Sequence, residues 1–382
     1  MLITPDLHLV IARLNPLLHW LSGPAARWVI IGLYAALLFG IHLHQGIFDG
    51  KEALKYMGCA EQVLQGDFHD LLGNYLKYAS YVLYLVPFIA VGLPKAAILG
   101  QIMLSLMASS ALRRMVLRST GQAGVAAAAS ALFLLTPFIQ QWTVAFYTES
   151  FFTSVSILFV ERTWSSRKRD PWTIVLGLVT LFARPVGLFL VGALITWKIT
   201  ASIQGTSQSW FRLAGCCVLF GSAISIPGIR PAQLEPIIQG QVIAGVGGLG
   251  TPDASFSGSS ILSAQRFLVE RTSIMEWAEI SGRRITSLYT TTRPYYSTSH
   301  NALNALLYLL YPLALIGAWT QPGDQLTRLL LAILLLNTAL IGLTHDEWSG
   351  RFLVPLLPWV IVLAAMGLTQ NSKSNSTESN VA

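Results

Sequence analysis

The run WVIIGLYAALLFGIHL, residues 28–43, decides the fold class. It contains no Asp, Glu, Lys or Arg, and it approaches the length of a helix that crosses a bilayer. The chain turns polar soon afterwards, at Phe48-Asp49-Gly50-Lys51-Glu52. Carboxylates at this position lie at the boundary between lipid and water. The pattern therefore predicts a membrane-spanning helix with acidic groups, first of all Asp49, at its exit.

The composition places the rest of the chain in the same class. The 382 residues are 53% hydrophobic and 11% charged, whereas soluble domains carry about 25% charged residues. The net charge of +7 is typical of the basic inner loops of membrane proteins and does not indicate nucleic-acid binding. The three cysteines form no Cys-x-x-Cys pair, so neither a zinc site nor a disulfide framework is indicated.

Further apolar runs of roughly 15–20 residues, near the spanning length, follow along the chain. With the first one, the candidates for full spans are 28–44, 94–112, 122–141, 149–163, 211–227, 301–319, 328–344 and 352–369. Another apolar region, 172–197, is interrupted by Arg184-Pro185 and predicts a hairpin of two half-length helices. The predicted fold is an all-α, polytopic integral membrane protein with about ten transmembrane helices, two of them half-length.

The orientation depends on the short tyrosine-rich run 78–93. If this run lies along the outer surface, the inner segments carry 13 Lys and Arg against 5 Asp and Glu, net +8, and the outer segments 12 against 13, net −1. This distribution follows the positive-inside rule. It predicts one membrane domain, 1–370, with both termini inside. Two extracytoplasmic regions, 45–93 and 228–300, are predicted to carry interfacial helices. The tail, 371–382, is predicted to be cytoplasmic and disordered.

Several ionisable residues share the predicted outer side, where charges at membrane depth are expensive and suggest function. They are Asp49, Glu52, Lys77, Glu149, Arg184, His345 and Arg351, with Tyr147 beside Glu149. Each has a structural alternative. Asp49 can be an ordinary charge at a helix exit, and Glu149 can complement a helix N-terminus. Arg184 can bond a carbonyl freed by Pro185, Arg351 can reach lipid headgroups, and His345 can be a structural histidine.

Other chemical signals are weak. The chain has no G-x-x-x-x-G-K-[ST], G-x-S-x-G or H-E-x-x-H motif, so ATPase, serine-hydrolase and zincin functions lack support. The adjacent Asp346 and Glu347 are a weak indication of a divalent cation. Metal use therefore stays open, and no cofactor is assigned.

The order of these motifs resembles the polytopic glycosyltransferases of the GT-C class that use polyprenyl-phosphate sugars, especially their bacterial mannosyltransferase-like branch. The resemblance rests on Asp49-Gly-Lys-Glu-Ala-Leu-Lys-Tyr56, on Tyr147-Thr148-Glu149-Ser150, on Arg184-Pro185-Val-Gly187 and on Arg351-Phe-Leu-Val-Pro355-Leu-Leu-Pro358. The first loop departs from the family pattern because its acidic residues are not adjacent. The second acidic position holds Glu149 in place of Asp.

The resemblance implies an inverting transfer of a sugar from a polyprenyl-phosphate donor to a glycan, lipid or protein acceptor, at the extracytoplasmic face of the inner (plasma) membrane. It implies that Asp49 is the general base and that Glu149 orients hydroxyl groups or assists Asp49. Arg184 and Arg351, with Lys77 as a third candidate, would stabilise the leaving phosphate. Glu52, Tyr147 and His345 are further candidates for substrate contacts.

Two other functions fit the same outer charges. A transporter or flippase of a lipid-linked saccharide would also need a polar path toward the inside, for which Gln101 and Asn337 are the main candidates. A non-catalytic membrane scaffold would not need Asp49.

Overall fold

The computed structural model describes residues 5–165, 170–200, 207–249 and 256–369, and its secondary structure there is all-α apart from isolated β-bridges. The predicted tail, 371–382, lies outside the described residues. In the first half the helices are α1 (Pro5–Ser22), α2 (Pro24–Gln45), α3 (Glu52–Leu64), α4 (His69–Gly73), α5 (Ala79–Ala90), α6 (Ala96–Thr120), α7 (Ala123–Leu135), α8 (Pro137–Gln140) and α9 (Thr148–Ser165).

The second half continues in the same way. Its helices are α10 (Pro171–Leu181), α11 (Gly187–Thr200), α12 (Ser207–Ser225), α13 (Pro231–Ile238), α14 (Ile261–Arg271), α15 (Ile274–Tyr289), α16 (Thr298–Ala305), α17 (Leu310–Thr320), α18 (Gln325–Leu343) and α19 (Leu357–Gly367). Each predicted apolar run is therefore largely helical. The predicted hairpin is the pair α10 and α11, with Arg184-Pro185 in the turn between them.

Among the residues that the structure describes, four helical stretches are long and apolar enough to cross a membrane: Pro24–Gln45, Ala96–Thr120, Thr298–Thr320 and Gln325–Leu343. A fifth forms if Ala123–Leu135 and Pro137–Val144, which meet at a bend of 51°, are one broken span. Pro137 has no amide hydrogen to donate, which explains the break. Several long apolar helices thus indicate a multi-pass membrane protein, and shorter apolar helices pack between them.

Glycines allow the closest helix pair, α17 and α19, to approach. A Cβ at Gly317 would lie 2.0 Å from the carbonyl oxygen of Leu363, and one at Gly367 would lie 2.3 Å from that of Leu313. Small residues at such crossings let two backbones meet, and van der Waals packing then holds the helices together without any hydrophobic driving force. This pair packs α19 into the buried centre of the bundle.

Contacts at the end of α2 show that residues 45–93 begin and end at one end of the bundle. Phe48 pairs with Ala145 in a parallel β-bridge. The side-chain amide of Gln101, near the start of α6, donates to the Ala145 carbonyl at 2.9 Å. The Ser80 amide, at the start of α5, donates to the carbonyl of Phe182 in the hairpin turn at 3.0 Å. We call this end the Asp49 end.

The opposite end carries Glu161, at the far end of α9, which accepts hydrogen bonds from Arg114 and Arg118. We call it the Glu161 end. Helix α5, in the predicted interfacial run, has 12 residues and is only about 18 Å long, well short of the ~30 Å hydrocarbon core. It packs on α3 through Tyr56 and Tyr81, whose ring centroids lie 5.5 Å apart.

Two buried arginines fix the region 228–300 to the bundle. Arg284 donates to the carbonyl oxygens of Gln241, Gly342 and Pro236 at 2.8, 3.4 and 3.5 Å, and burial lowers its pKa to about 10. Arg293 donates to Asp346 at 2.6 Å. These bonds connect α13 and α15 to the segment between α18 and α19, and so help to position the residues that follow Asp346.

Candidate functional site

The backbone after α2 places the first loop against the start of α9. The Phe48 amide donates to Val144 at 3.2 Å, and the Phe146 amide donates to Phe48 at 3.0 Å. The chain then turns at Lys51, whose φ of 54° and ψ of −112° are unusual for a residue other than glycine. The amide of Ala53 donates to the Gly50 carbonyl at 3.1 Å and closes this turn. Such backbone conformations cost about 1–3 kcal/mol and cluster at functional sites.

Directly after the turn, Glu52 forms a two-pronged ion pair with Arg351. Nη1 of Arg351 donates to Oε2 of Glu52 at 2.5 Å, and Nη2 donates to Oε1 at 3.1 Å. The planar guanidinium fork suits a carboxylate in this geometry. The pair joins two segments that are 299 residues apart in the sequence, and thereby closes the site between the first loop and the last one.

A second, deeper ion pair lies behind the first. Oε1 of Glu149 lies 2.8 Å from Nη1 of Arg184, with side chains 1% and 8% exposed, and 3.8 Å from Nε of Arg351. These distances are those of ion pairs, but the alignment does not make hydrogen bonds. Within the described residues, Glu149 Oε2, Arg184 Nη1 and Arg351 Nε are buried without a hydrogen-bond partner. Unpartnered charged groups at such depth are costly and indicate a place for a ligand.

The ring of Phe352 lies close to both guanidinium groups. Cζ of Arg184 lies 5.9 Å from the ring centroid and Cζ of Arg351 lies 5.8 Å from it. Both distances are within the range of cation–π attraction. Phe352 therefore favours the charge of each arginine.

The carboxylates offset the arginines electrostatically. Arg184 and Arg351 face Glu52, Glu149 and, at 3.7 Å from Arg351, Glu347. Burial opposes ionisation of Glu52, but the hydrogen bonds and charge of Arg351 outweigh it, and the pKa of Glu52 falls below its ordinary value. Burial likewise opposes the charge of Arg351, but its carboxylate neighbours raise the pKa of its guanidinium. Both groups are thus charged at neutral pH.

Beside these pairs lies a cavity of about 350 Å³. Its aromatic walls come from four separate parts of the chain and comprise Phe48, Trp142, Tyr147, Tyr296 and Trp348. Its polar lining comprises Gln45, Gln141, His300, Ser349, the cations Lys51 and Arg351, and the carboxylates Glu52 and Glu347. A cavity of this size, with a few convergent polar groups, has the features of a small-molecule site.

The structure brings Glu52, Glu149, Arg184 and Arg351 together, and places Tyr147 in the cavity wall, where its hydroxyl donates to the Gly50 carbonyl at 3.5 Å. Asp49 is exposed and is not among the residues that line the cavity. It lies between Phe48 and Gly50, in the segment that borders the cavity. Its carboxylate has no hydrogen bond or ion pair within the part of the chain that the structure describes.

The other two predicted substrate contacts lie at the periphery. Lys77 is exposed and its ammonium lies 5.6 Å from the ring centroid of Tyr78. His345 lies behind Phe352, at 6.1 Å between ring centroids, and burial lowers the pKa of its imidazole. Neither residue lines the cavity.

The adjacent carboxylates Asp346 and Glu347 diverge. Asp346 is fully buried and bonded to Arg293 and Ser287, whereas Glu347 faces the cavity. Among the residues that the structure describes, no group of three or more His, Cys, Asp or Glu side chains is placed to hold a metal ion. Glu347, Trp348 and Phe352 are site residues that sequence reasoning did not select, although the acidic pair had drawn attention to Glu347.

Comparisons with protein-family models, curated proteins and solved structures give no match.

Proposed function

We propose that the protein is an inverting glycosyltransferase that moves a sugar from a polyprenyl-phosphate donor to an acceptor at the extracytoplasmic face of the membrane. The observation that carries the proposal is the convergence of Glu52, Glu149, Arg184 and Arg351. These residues come from four distant segments. Glu149, Arg184 and Arg351 each have a buried charged atom without a hydrogen-bond partner among the described residues, and Glu52 and Arg351 line the cavity. The order of motifs that resembles the GT-C class supplies the reaction.

In the proposed reaction, an acceptor hydroxyl oxygen attacks the anomeric carbon while the bond from that carbon to the phosphate oxygen breaks. The hydroxyl proton passes to Asp49, and the polyprenyl phosphate leaves with the bonding electron pair. General-base assistance of this kind contributes about 10²–10⁴-fold. Asp49 suits the role because its carboxylate is unoccupied among the described residues, whereas Arg351 holds both oxygens of Glu52.

The two arginines would stabilise the charge that develops on the leaving phosphate. Nε of Arg351 and Nη1 of Arg184 have no hydrogen-bond partner among the described residues, although both lie within ion-pair distance of Glu149. Glu149 keeps both guanidinium groups oriented, and its free Oε2 is available to a substrate hydroxyl. Preorganised charges in a desolvated site act more strongly than the same charges in water. Lys77 remains a third candidate for the phosphate.

The proposed topology is the finer one that the charges predict, with about ten transmembrane helices, both termini inside and the Asp49 end outside, in the inner (plasma) membrane. The return of residues 45–93 to the Asp49 end supports it, as does the position of Arg114 and Arg118 at the opposite end. A cysteine introduced at position 83, where Leu83 is 49% exposed, should be labelled from the outside only.

A flippase remains the alternative, and the bundle interior does not favour it. The side-chain amide of Asn337 donates to the carbonyl of Ile333 at 2.8 Å, within its own helix. Gln140 donates to the carbonyl of Phe133 at 2.8 Å and accepts from Thr143 at 3.0 Å. Buried polar groups that are bonded in this way to nearby residues of the chain do not line up as an open path.

The proposal is tested by changing Asp49 to Asn and following transfer. Lipid-linked sugars and envelope glycans are compared by mass spectrometry in cells that lack the protein, cells that carry it and cells that carry Asp49→Asn. We expect the wild type alone to consume one polyprenyl-phosphate sugar and add that sugar to an acceptor. Asp67→Asn, in the same outer region but outside the site, is the matched control. Identical sugar profiles with and without the protein would refute the glycosyltransferase, and full activity of Asp49→Asn would refute the base.

A further inference from the structure

We infer that the cavity of about 350 Å³ is a subsite for a neutral sugar ring, with the indole of Trp348 as the surface on which the ring stacks. The link to transfer rests on the proposed function, but binding of the sugar can be measured without any transfer.

The walls have the chemistry that a sugar ring requires. Five aromatic side chains line the cavity, and the lining that the structure describes includes no Leu, Ile, Val or Met. The carbon-bound hydrogens on a sugar's face pack well on an aromatic ring, and its hydroxyl groups point outward in the ring plane toward polar partners. Aromatic walls can pack against the face of the sugar ring, and polar groups at the rim can bond its hydroxyl groups. A prenyl chain has no polar groups that could bond the rim.

The charges of the lining favour a neutral ligand over a phosphate. Lys51 and Arg351 are matched by Glu52 and Glu347, and both Nη atoms of Arg351 are already bonded to Glu52. A phosphate entering the cavity would have to displace Glu52 and would face Glu347 as a like charge. A sugar hydroxyl can donate to a carboxylate without either cost.

Free hydrogen-bonding capacity is also present at the rim. Oε2 of Glu347 accepts from the Ser349 amide at 2.8 Å, while its Oε1 accepts no hydrogen bond among the described residues. The side-chain amide of Gln45 is equally free within that part of the chain. These groups can accept from, and donate to, sugar hydroxyls.

Trp348 is held in place but not covered. The Lys51 ammonium lies 4.9 Å from its ring centroid, and the hydroxyl of Tyr295 donates to its carbonyl. The residue nevertheless remains 47% exposed. The unusual backbone conformation at Lys51 fits this role, because it positions the Lys51 ammonium next to the indole before a ligand binds.

The test is saturation-transfer NMR on the full-length protein in lipid nanodiscs, with a panel of neutral methyl hexopyranosides and methyl pentofuranosides as probes. We expect saturable binding of at least one glycoside, about tenfold weaker binding by Trp348→Ala, and near-normal binding by Trp348→Phe. Trp319→Ala is the matched control, because Trp319 is 85% exposed and lies in α17, away from the cavity. Inorganic phosphate should not compete.

The outcomes are distinct. Absence of glycoside binding to the wild type, equal binding by Trp348→Ala, or displacement of the glycoside by inorganic phosphate would each overturn the inference. Binding that persists in Asp49→Asn supports the inference whether or not the wild type transfers sugar, so failure of the proposed function remains separately visible. Competition by the purified lipid-linked donor would assign the subsite to the donor sugar, and competition by a soluble acceptor glycan would assign it to the acceptor.

Discussion

The two ends of α9 carry the same charges in different states. At each end a buried glutamate meets two arginines: Glu149 with Arg184 and Arg351, and Glu161 with Arg114 and Arg118. At the Glu161 end the arginine side chains are 49% and 46% exposed, and three hydrogen bonds of 2.8 to 3.2 Å occupy both carboxylate oxygens.

At the Asp49 end the corresponding bonds are incomplete. The arginine side chains are largely buried, and Glu149 Oε2 has no partner among the described residues. Composition alone would rank the two clusters equally. The two clusters differ in hydrogen bonding. Near the cavity a buried carboxylate oxygen lacks a hydrogen-bond partner, which costs stability unless a ligand supplies one. We therefore propose a structural role for Glu161 and a functional role for Glu149.

The largest expected effect comes from removing the charge of Glu149. Glu149→Gln keeps the shape of the side chain but leaves Arg184 buried without its anion, so the orientation of both arginines is lost. We expect transfer to fall about 100-fold or more, because small misplacements in a site have effects of that size. The measurement is the initial rate of transfer by purified protein, with the donor that the mass spectrometry identifies.

Glu161→Gln is the matched control for this change, on the same helix and with the same chemistry. Its arginines are half exposed and can be solvated, so transfer should stay within about threefold of the wild type. Equal loss of transfer in the two variants would mean that the clusters do not differ in role, and would break the comparison.

The fold was predictable from the sequence to the extent that apolar runs fix helices. The runs 28–44 and 94–112 correspond to α2 and α6. The charge distribution predicted that 45–93 lies on one side of the membrane, and the contacts of Gln101 and Ser80 place both ends of this region at one end of the bundle. The number of full spans was harder to predict. Among the described residues, length and apolarity identify four or five long stretches. Other apolar runs form shorter helices, and inside a bundle neighbouring helices can support short helices and polar residues in place of lipid.

The site was predictable in part. The predicted topology placed Glu52, Glu149, Arg184 and Arg351 on one side of the membrane, but topology does not indicate which of these residues pair. That Glu52 pairs with Arg351, across 299 residues, depends on how the start of α3 meets the segment between α18 and α19. Trp348 and Phe352 gave no polar signal in the sequence, since aromatic residues near a membrane surface usually belong to interfacial belts.

The pH dependence of stability should distinguish the Glu52–Arg351 pair from an exposed ion pair. The pKa of Glu52 is lowered in the folded protein, so its contribution is complete above the ordinary value of 4.5 and is lost as the pH falls through the lowered value. We expect part of the acid destabilisation between about pH 5 and 3 to disappear in Glu52→Gln. Thermal unfolding in nanodiscs across this range measures it. Glu279→Gln, in the exposed pair with Arg283, should leave the pH profile unchanged.

The smallest expected effect is that of Arg118→Ala at the Glu161 end. Arg114 still donates to both oxygens of Glu161, at 3.1 and 3.2 Å, so the buried carboxylate keeps its hydrogen bonds. Because Arg118 is 46% exposed, we expect a loss of less than about 1 kcal/mol in the free energy of unfolding. Removal of Arg114 as well would leave Glu161 unpaired, and the double variant should lose more than the two single variants together. Strict additivity in chemical-denaturation measurements would show that the two arginines stabilise the fold independently and that neither substitutes for the other at the carboxylate, contrary to this prediction.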